Sequence, residues 1–142
     1  MNTPAQEVTL FLIEDDDVDA MMIERSFEKN KIANKIVRAI DGVDAFEKLE
    51  SNFVTNPFVI LLDLQMPRMN GLEFLTKLRA NDKYSALVVF VLTTSENEND
   101  ILASYKQHIS GYFVKGKVGD NFIDIVNTLN SYWKIVHLPN PV

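Results

Sequence analysis

Short apolar runs that stop abruptly on a polar side chain constrain this chain more than any other feature. VTLFLI (8–13) ends at Glu14, FVILL (58–62) at Asp63, LVVFVL (87–92) at Thr93, and GYFV (111–114) at Lys115. Asn34 to Ile40, with the β-branched Ile36, Val37 and Ile40, is a weaker run of the same kind. Between these runs the apolar residues recur at intervals of three and four, the period of a helix. Val18, Met21, Met22 and Phe27 make the first such stripe, and Val43, Phe46, Leu49 and Phe53 the second. Leu72, Leu75 and Leu78 follow, then Ile101, Leu102 and Tyr105. The last stripe, Phe122 to Trp133, predicts a helix over Asp120–Val136, and the LPNPV ending cannot continue it, because proline lacks the amide donor.

Five strands alternating with five helices, the strands apolar throughout, imply a sheet covered on both faces. That is the mark of a parallel sheet flanked by helices, an α/β fold. Right-handed crossovers leave few topologies for five β-α units, and a closed barrel needs eight. The expected architecture is a flavodoxin-like (βα)5 three-layer sandwich with strand order 2-1-3-4-5. At 142 residues the chain is expected to be one domain, with its core over about 8–137 and a short tail at 138–142.

Composition narrows the function. Fourteen Lys and Arg against twenty Asp and Glu leave a net charge of −6, the wrong sign for a nucleic-acid module that must displace counterions. The absence of cysteine excludes thiol catalysis and zinc–thiolate sites. MNTPAQE at the start has neither a basic region nor an apolar signal core, and the longest apolar run, ALVVFVL (86–92), is far below the ~18 residues that span a bilayer. A soluble, cytoplasmic domain without nucleic-acid or membrane partners is expected.

In a parallel sheet of this order the residues just past the strand ends share one edge, and ligands bind there. Glu14, Asp15 and Asp16 follow the first strand, Asp63 the third, Thr93 and Thr94 the fourth, and Lys115 the fifth. The first and third strands are predicted neighbours, so Asp63 should face the acidic cluster directly. Like-charged carboxylates ~5 Å apart repel by roughly 3 kcal/mol at an effective dielectric of ~20, so either a proton or a divalent cation must offset them. Oxygen ligands without His or Cys favour magnesium. The same inventory suits phosphoryl transfer, with a carboxylate as nucleophile and an ammonium and a hydroxyl holding the moving oxygens. Asp16, Asp17 and Asp19 read instead as acids that cap and stabilise the start of the first helix.

FLIEDD (11–16), VILLDLQMPRMNGLEFL (59–75), VVFVLTTS (88–95) and GYFVKG (111–116) together resemble the response-regulator receiver domain of bacterial two-component signalling. The resemblance covers nearly the whole chain, and DLQMPRMNG is its most specific stretch. It implies that Asp63 is the phosphoacceptor, that Glu14 and Asp15 hold Mg2+ with Asp63, and that the backbone carbonyl of Gln65 completes the metal site. It also implies that Thr93 and Lys115 contact the phosphoryl group, and that Thr93 and the aromatic Tyr112 act as the switch. The domain itself would be a phosphoacceptor rather than an enzyme acting on other substrates. The expected partner is a sensor histidine kinase.

Two positions depart from the family pattern. Gly116 replaces the usual proline after the lysine, which predicts a trans Lys115–Gly116 bond, a more mobile loop and a less firmly placed ammonium. Thr94 stands where a small residue is usual and is expected to restrict access to the phosphoryl site. The ending SYWKIVHLPNPV resembles stand-alone regulators that partner phytochrome-like and hybrid kinases and often form homodimers. Tyr132 and Trp133 fit either a dimer surface or core packing, and His108 and His137 read as surface residues. No output domain is expected after the receiver. Two alternatives remain: a pseudo-receiver that docks without phosphorylation, and an aspartyl-phosphate phosphatase, which would want an acid where Gln65 stands. No phosphate-binding glycine motif supports a nucleotide site.

Overall fold

A computed structural model describes residues 7–139. The tail expected at 138–142 lies outside the described residues from 140 onward. The strands are β1 (Thr9–Ile13), β2 (Ile36–Ala39), β3 (Phe58–Leu62), β4 (Val89–Thr93) and β5 (Gly111–Val114). The helices are α1 (Asp17–Lys29), α2 (Gly42–Glu50), α3 (Gly71–Ala80), α4 (Glu98–Lys106) and α5 (Ile123–Ile135). All neighbouring strands pair in parallel, in the order β2-β1-β3-β4-β5, as the flavodoxin-like reading requires.

Side chains alternate across each strand, so the three central strands feed two cores. Phe11, Ile13, Ile60, Leu62 and Val91 face the layer that holds α2 and α3, where Phe74, Leu75 and Leu78 are fully buried. Leu10, Leu12, Leu61, Phe90 and Leu92 face α1 and α5, where Ile23, Ile125 and Leu129 are fully buried. Trp133 belongs to this second core and lies 6.1 Å from Phe27, ring centre to ring centre. Tyr132 packs edge-on against Phe90. Core packing therefore accounts for both aromatics, and the exposed apolar residue at that end is Ile135.

Three features of the helices differ from the periodic reading. In α1 the buried face runs through Ala20, Ile23 and Phe27, while Val18 and Met21 are exposed. They line a cavity of about 700 Å³ between α1 and the turn before α5, with Arg25 and Lys29 on its walls. In α4 only Ser104 is fully buried, and Leu102 and Tyr105 are 56% and 48% exposed. The last helix begins at Ile123 rather than Asp120, because Asn121 and Phe122 sit at φ 55° and 61°. That left-handed conformation costs an L-residue roughly 1–2 kcal/mol and cannot propagate a right-handed helix. Phe122 is buried, so its packing offsets the strain.

Two polar clamps hold the loops. Asp41 caps α2, is almost fully buried, and receives the Arg68 guanidinium at 2.6 and 3.1 Å. This pair keeps the Asp41 carboxyl below its usual range despite the opposing effect of burial. Arg79, at the end of α3, donates to the carbonyls of Ser85, Leu87, Gln107 and His108 at 2.7–3.1 Å. It thereby stitches α3 to the entry of β4 and to the last turn of α4.

Candidate functional site

The unbroken apolar strands end together, which delivers their first polar residues to one rim. Glu14 and Asp63 are buried and Asp15 is exposed, and one carboxylate oxygen from each lies within 4.8 Å of the others. The sequence predicted this meeting of β1 and β3, and the pairing of Ile13 with Leu62 produces it. The backbone around Asp63 is tightly set. Gln65 donates its amide to Asp63 Oδ1 at 3.1 Å, and Gly71 donates to the Leu64 carbonyl at 3.0 Å. A Cβ at Gly71 would stand 2.4 Å from the Asp63 carbonyl oxygen and 2.6 Å from Leu64 Cα. Only glycine lets α3 start so close beneath the acid. Asn70 and Glu73 then close a capping box that fixes the first turn.

Lys115 reaches the same place from the end of β5. Its ammonium lies 2.7 Å from Asp19 Oδ2, 2.8 Å from Glu14 Oε1 and 3.1 Å from Asp63 Oδ2. Burial acts to lower the Lys115 pKa, but the hydrogen bonds it donates to Asp19 and Glu14 outweigh it and hold the group above the ordinary lysine range. The Glu14 carboxyl is pushed up to about 8, first by burial and then by neighbouring Asp63. With three carboxylates around one ammonium and Asp15 beside them, the cluster carries excess negative charge that a proton or a cation must offset. A carboxylate trio with one exposed member, no thiolate and no imidazole fits a hard divalent cation.

The fourth strand supplies the hydroxyls. Thr93 is fully buried at the end of β4, beside Val114 of β5. Thr94 is exposed and donates to Gln65 Oε1 at 2.8 Å, tying the loop after β4 to the loop after β3. The next residue anchors α4: Ser95 Oγ donates to Asp100 Oδ2 at 2.6 Å, and Tyr112 Oη donates to the Ser95 carbonyl at 2.9 Å. Burial raises the Tyr112 pKa, so its phenol stays a donor.

At the first helix the acids divide their tasks in a way that the sequence alone left unseparated. Asp16 is the cap, accepting from Val18 and Asp19 amides at 2.8 and 3.0 Å, bonds that lower its pKa. Asp17 pairs with Arg38, which also donates to the Glu14 carbonyl. Asp19, predicted to serve the helix start, instead turns its carboxylate to Lys115. The available signal was spacing: an acid one helical turn beyond the Asp15–Asp16 pair stands at the same rim. The Lys115–Gly116 bond is trans, as expected. The ammonium, expected to be loosely placed, is instead held by three carboxylates.

A doubly wound sheet of this order, with an acid trio, a hydroxyl and a lysine at its carboxyl rim, is the arrangement of a receiver domain of the CheY type. The chain matches the model of the response regulator receiver domain over residues 10–127 and belongs to that family. It is similar to the response regulator Rcp1 of Synechocystis sp., with 31% identity over 135 residues that cover 92% of each chain. Among solved structures it resembles the Mn2+-bound form of Rcp1, at TM-score 0.81 and 30% identity, covering 93% of this chain and 99% of that one. It also resembles the phosphorylated cyanobacterial phytochrome response regulator RcpA, at TM-score 0.84 and 28% identity, covering 95% and 100%. No helix among the described residues is long and apolar enough to cross a membrane.

Proposed function

We propose that this receiver takes a phosphoryl group from a sensor histidine kinase onto Asp63 in a Mg2+-dependent reaction. The observation that carries this reading is the Lys115 ammonium bridging Glu14 and Asp63, with Asp15 in the same cluster. Glu14, Asp15 and Asp63, with the Gln65 backbone carbonyl, would hold the cation, which would offset charge on the transferring phosphoryl group. The Asp63 carboxylate attacks phosphorus in line, a P–O bond forms, and the P–N bond to the donor imidazole breaks, its electron pair remaining on nitrogen. Lys115 and Thr93 then hold the new phosphoryl oxygens.

The kinase must bring its phosphohistidine against Asp63, so its contact surface has to border the rim. The cavity lined by Val18, Met21 and Ile123 lies along α1 below Asp19, and its exposed apolar wall supports contact with a partner helix there. Once Thr93 turns to the phosphate, Tyr112 fills the space it leaves, and the Tyr112–Ser95 bond that anchors α4 is broken. The α4-β5-α5 surface then reads out the state by protein contact or by onward relay of the phosphate.

Acetyl phosphate and Mg2+ should give a hydroxylamine-sensitive phosphoryl mass gain on Asp63. Asp63→Asn should abolish it, and labelling that persists at the same site would refute the assignment. Steady phosphate release would instead identify a phosphatase, and no reaction in any condition a docking pseudo-receiver.

A further inference from the structure

We propose that Asp19 is the positioning residue for Lys115, the carboxylate that keeps the ammonium at the rim when the other acids turn to the cation. The proposal rests on the phosphoacceptor reading above and assigns one more residue to it. Of the three carboxylates on Lys115, two, Glu14 and Asp63, also belong to the candidate metal cluster, while Asp19 does not. An ammonium has three donors, and three acids occupy them. When a divalent ion takes Glu14 and Asp63, Asp19 is the partner that remains, and it already makes the shortest contact, 2.7 Å.

Nothing downstream of the lysine does this work. A Cβ at Gly116 would meet nothing within 4 Å, so no other part of the fold packs against the residue that follows Lys115. The single turn Lys115–Lys117 has no side-chain cap, and the next lysine, Lys117, makes only an exposed ion pair with Glu96. Asp19, in contrast, sits on a fixed platform: the first turn of α1, with its own amide bonded to the Asp16 cap. The helix therefore sets where the ammonium rests. A phosphoryl group on Asp63 would draw two of the three donors while Asp19 retains the third, so the lysine turns in place rather than leaving.

An acid in the first turn of a helix also stabilises that helix generally, so the test must separate the two roles. Asp19→Asn keeps the volume and removes the charge. In otherwise unaltered protein it should slow Asp63 labelling by acetyl phosphate about tenfold, the scale of one charged hydrogen bond. In a Lys115→Met background the same substitution should change the rate less than about twofold, because the partner is gone. Asp19→Glu should recover most of the loss. Equal slowing in both backgrounds, or none in either, overturns the proposal. A second readout does not depend on phosphorylation. In Mg2+-saturated protein, acetic anhydride should modify Lys115 about tenfold faster after Asp19→Asn, read by peptide mass. An unchanged Lys115 reactivity overturns the proposal even if Asp63 takes no phosphate, an outcome that would separately refute the phosphoacceptor reading.

Discussion

Helices α3 and α4 each follow a central strand and each start beside the same acidic rim, yet they are built differently. α3 begins at a glycine pressed against the Asp63 carbonyl, closes a capping box, and buries Phe74, Leu75 and Leu78 completely. α4 buries only Ser104, exposes Leu102 and Tyr105, and is anchored at its start by the hydrogen bonds of Ser95 with Asp100 and Tyr112. One helix is held by apolar packing, which is strong and has no alternative partner. The other is held by hydrogen bonds whose acceptors can be exchanged. Local stability follows such differences, so Asp63 stands beside a fixed element while the adjacent helix is the more easily displaced.

Truncation in each helix gives the largest contrast. Leu78→Ala should cost about 2–5 kcal/mol in urea unfolding, the range for emptying a close-packed core site. Leu102→Ala should stay within about 0.5 kcal/mol, as exposed substitutions do. Comparable losses at the two sites would break the comparison.

A smaller effect isolates the fixed half of the rim. Glu14 holds its proton up to about 8 in the folded state, against 4.5 ordinarily. The folded state thus binds this proton more tightly than the unfolded chain, and metal-free protein should lose stability as pH rises through that window. A cation must displace the same proton, so Mg2+ affinity should climb by up to about tenfold per pH unit below the Glu14 pKa and level off above it. Titration calorimetry in buffers of different ionisation enthalpy measures the released proton, and Glu14→Gln should remove both slopes. A pH dependence that survives Glu14→Gln would assign the proton to another group. The smallest effect belongs to the α4 anchor. Tyr112→Phe deletes one hydrogen bond and should cost about 0.5–1.5 kcal/mol, with faster amide exchange confined to the start of α4. Protection lost equally in α3 would remove the distinction between the two helices.

The sheet was legible because its signal is local: an apolar run halted by an acid reads as a buried strand whose end faces solvent. The meeting of Glu14, Asp15 and Asp63 followed from topology, since strands 1 and 3 had to be neighbours. Helix faces were less legible. A period of three or four locates a helix, but Val18 and Met21 show that it does not say which stripe the sheet will cover. The start of α5 was hidden for a related reason, because Phe122 tolerates its left-handed backbone only through burial among residues distant in sequence. The Asp19–Lys115 pair spans 96 residues and involves a side chain with a sufficient local role, so helical spacing could put Asp19 at the rim but could not name its partner.

The Arg79 guanidinium limits how α4 can answer. Because it grips the carbonyls of Gln107 and His108 from α3, the far end of α4 is pinned to the stable half of the molecule. A rod fixed at one tip sweeps an arc: displacement is small at the pinned tip and greatest at Asn97 and Glu98, beside the rim. A partner reading this surface would therefore sense a change of angle, largest at the acidic rim, rather than a sliding of the whole helix.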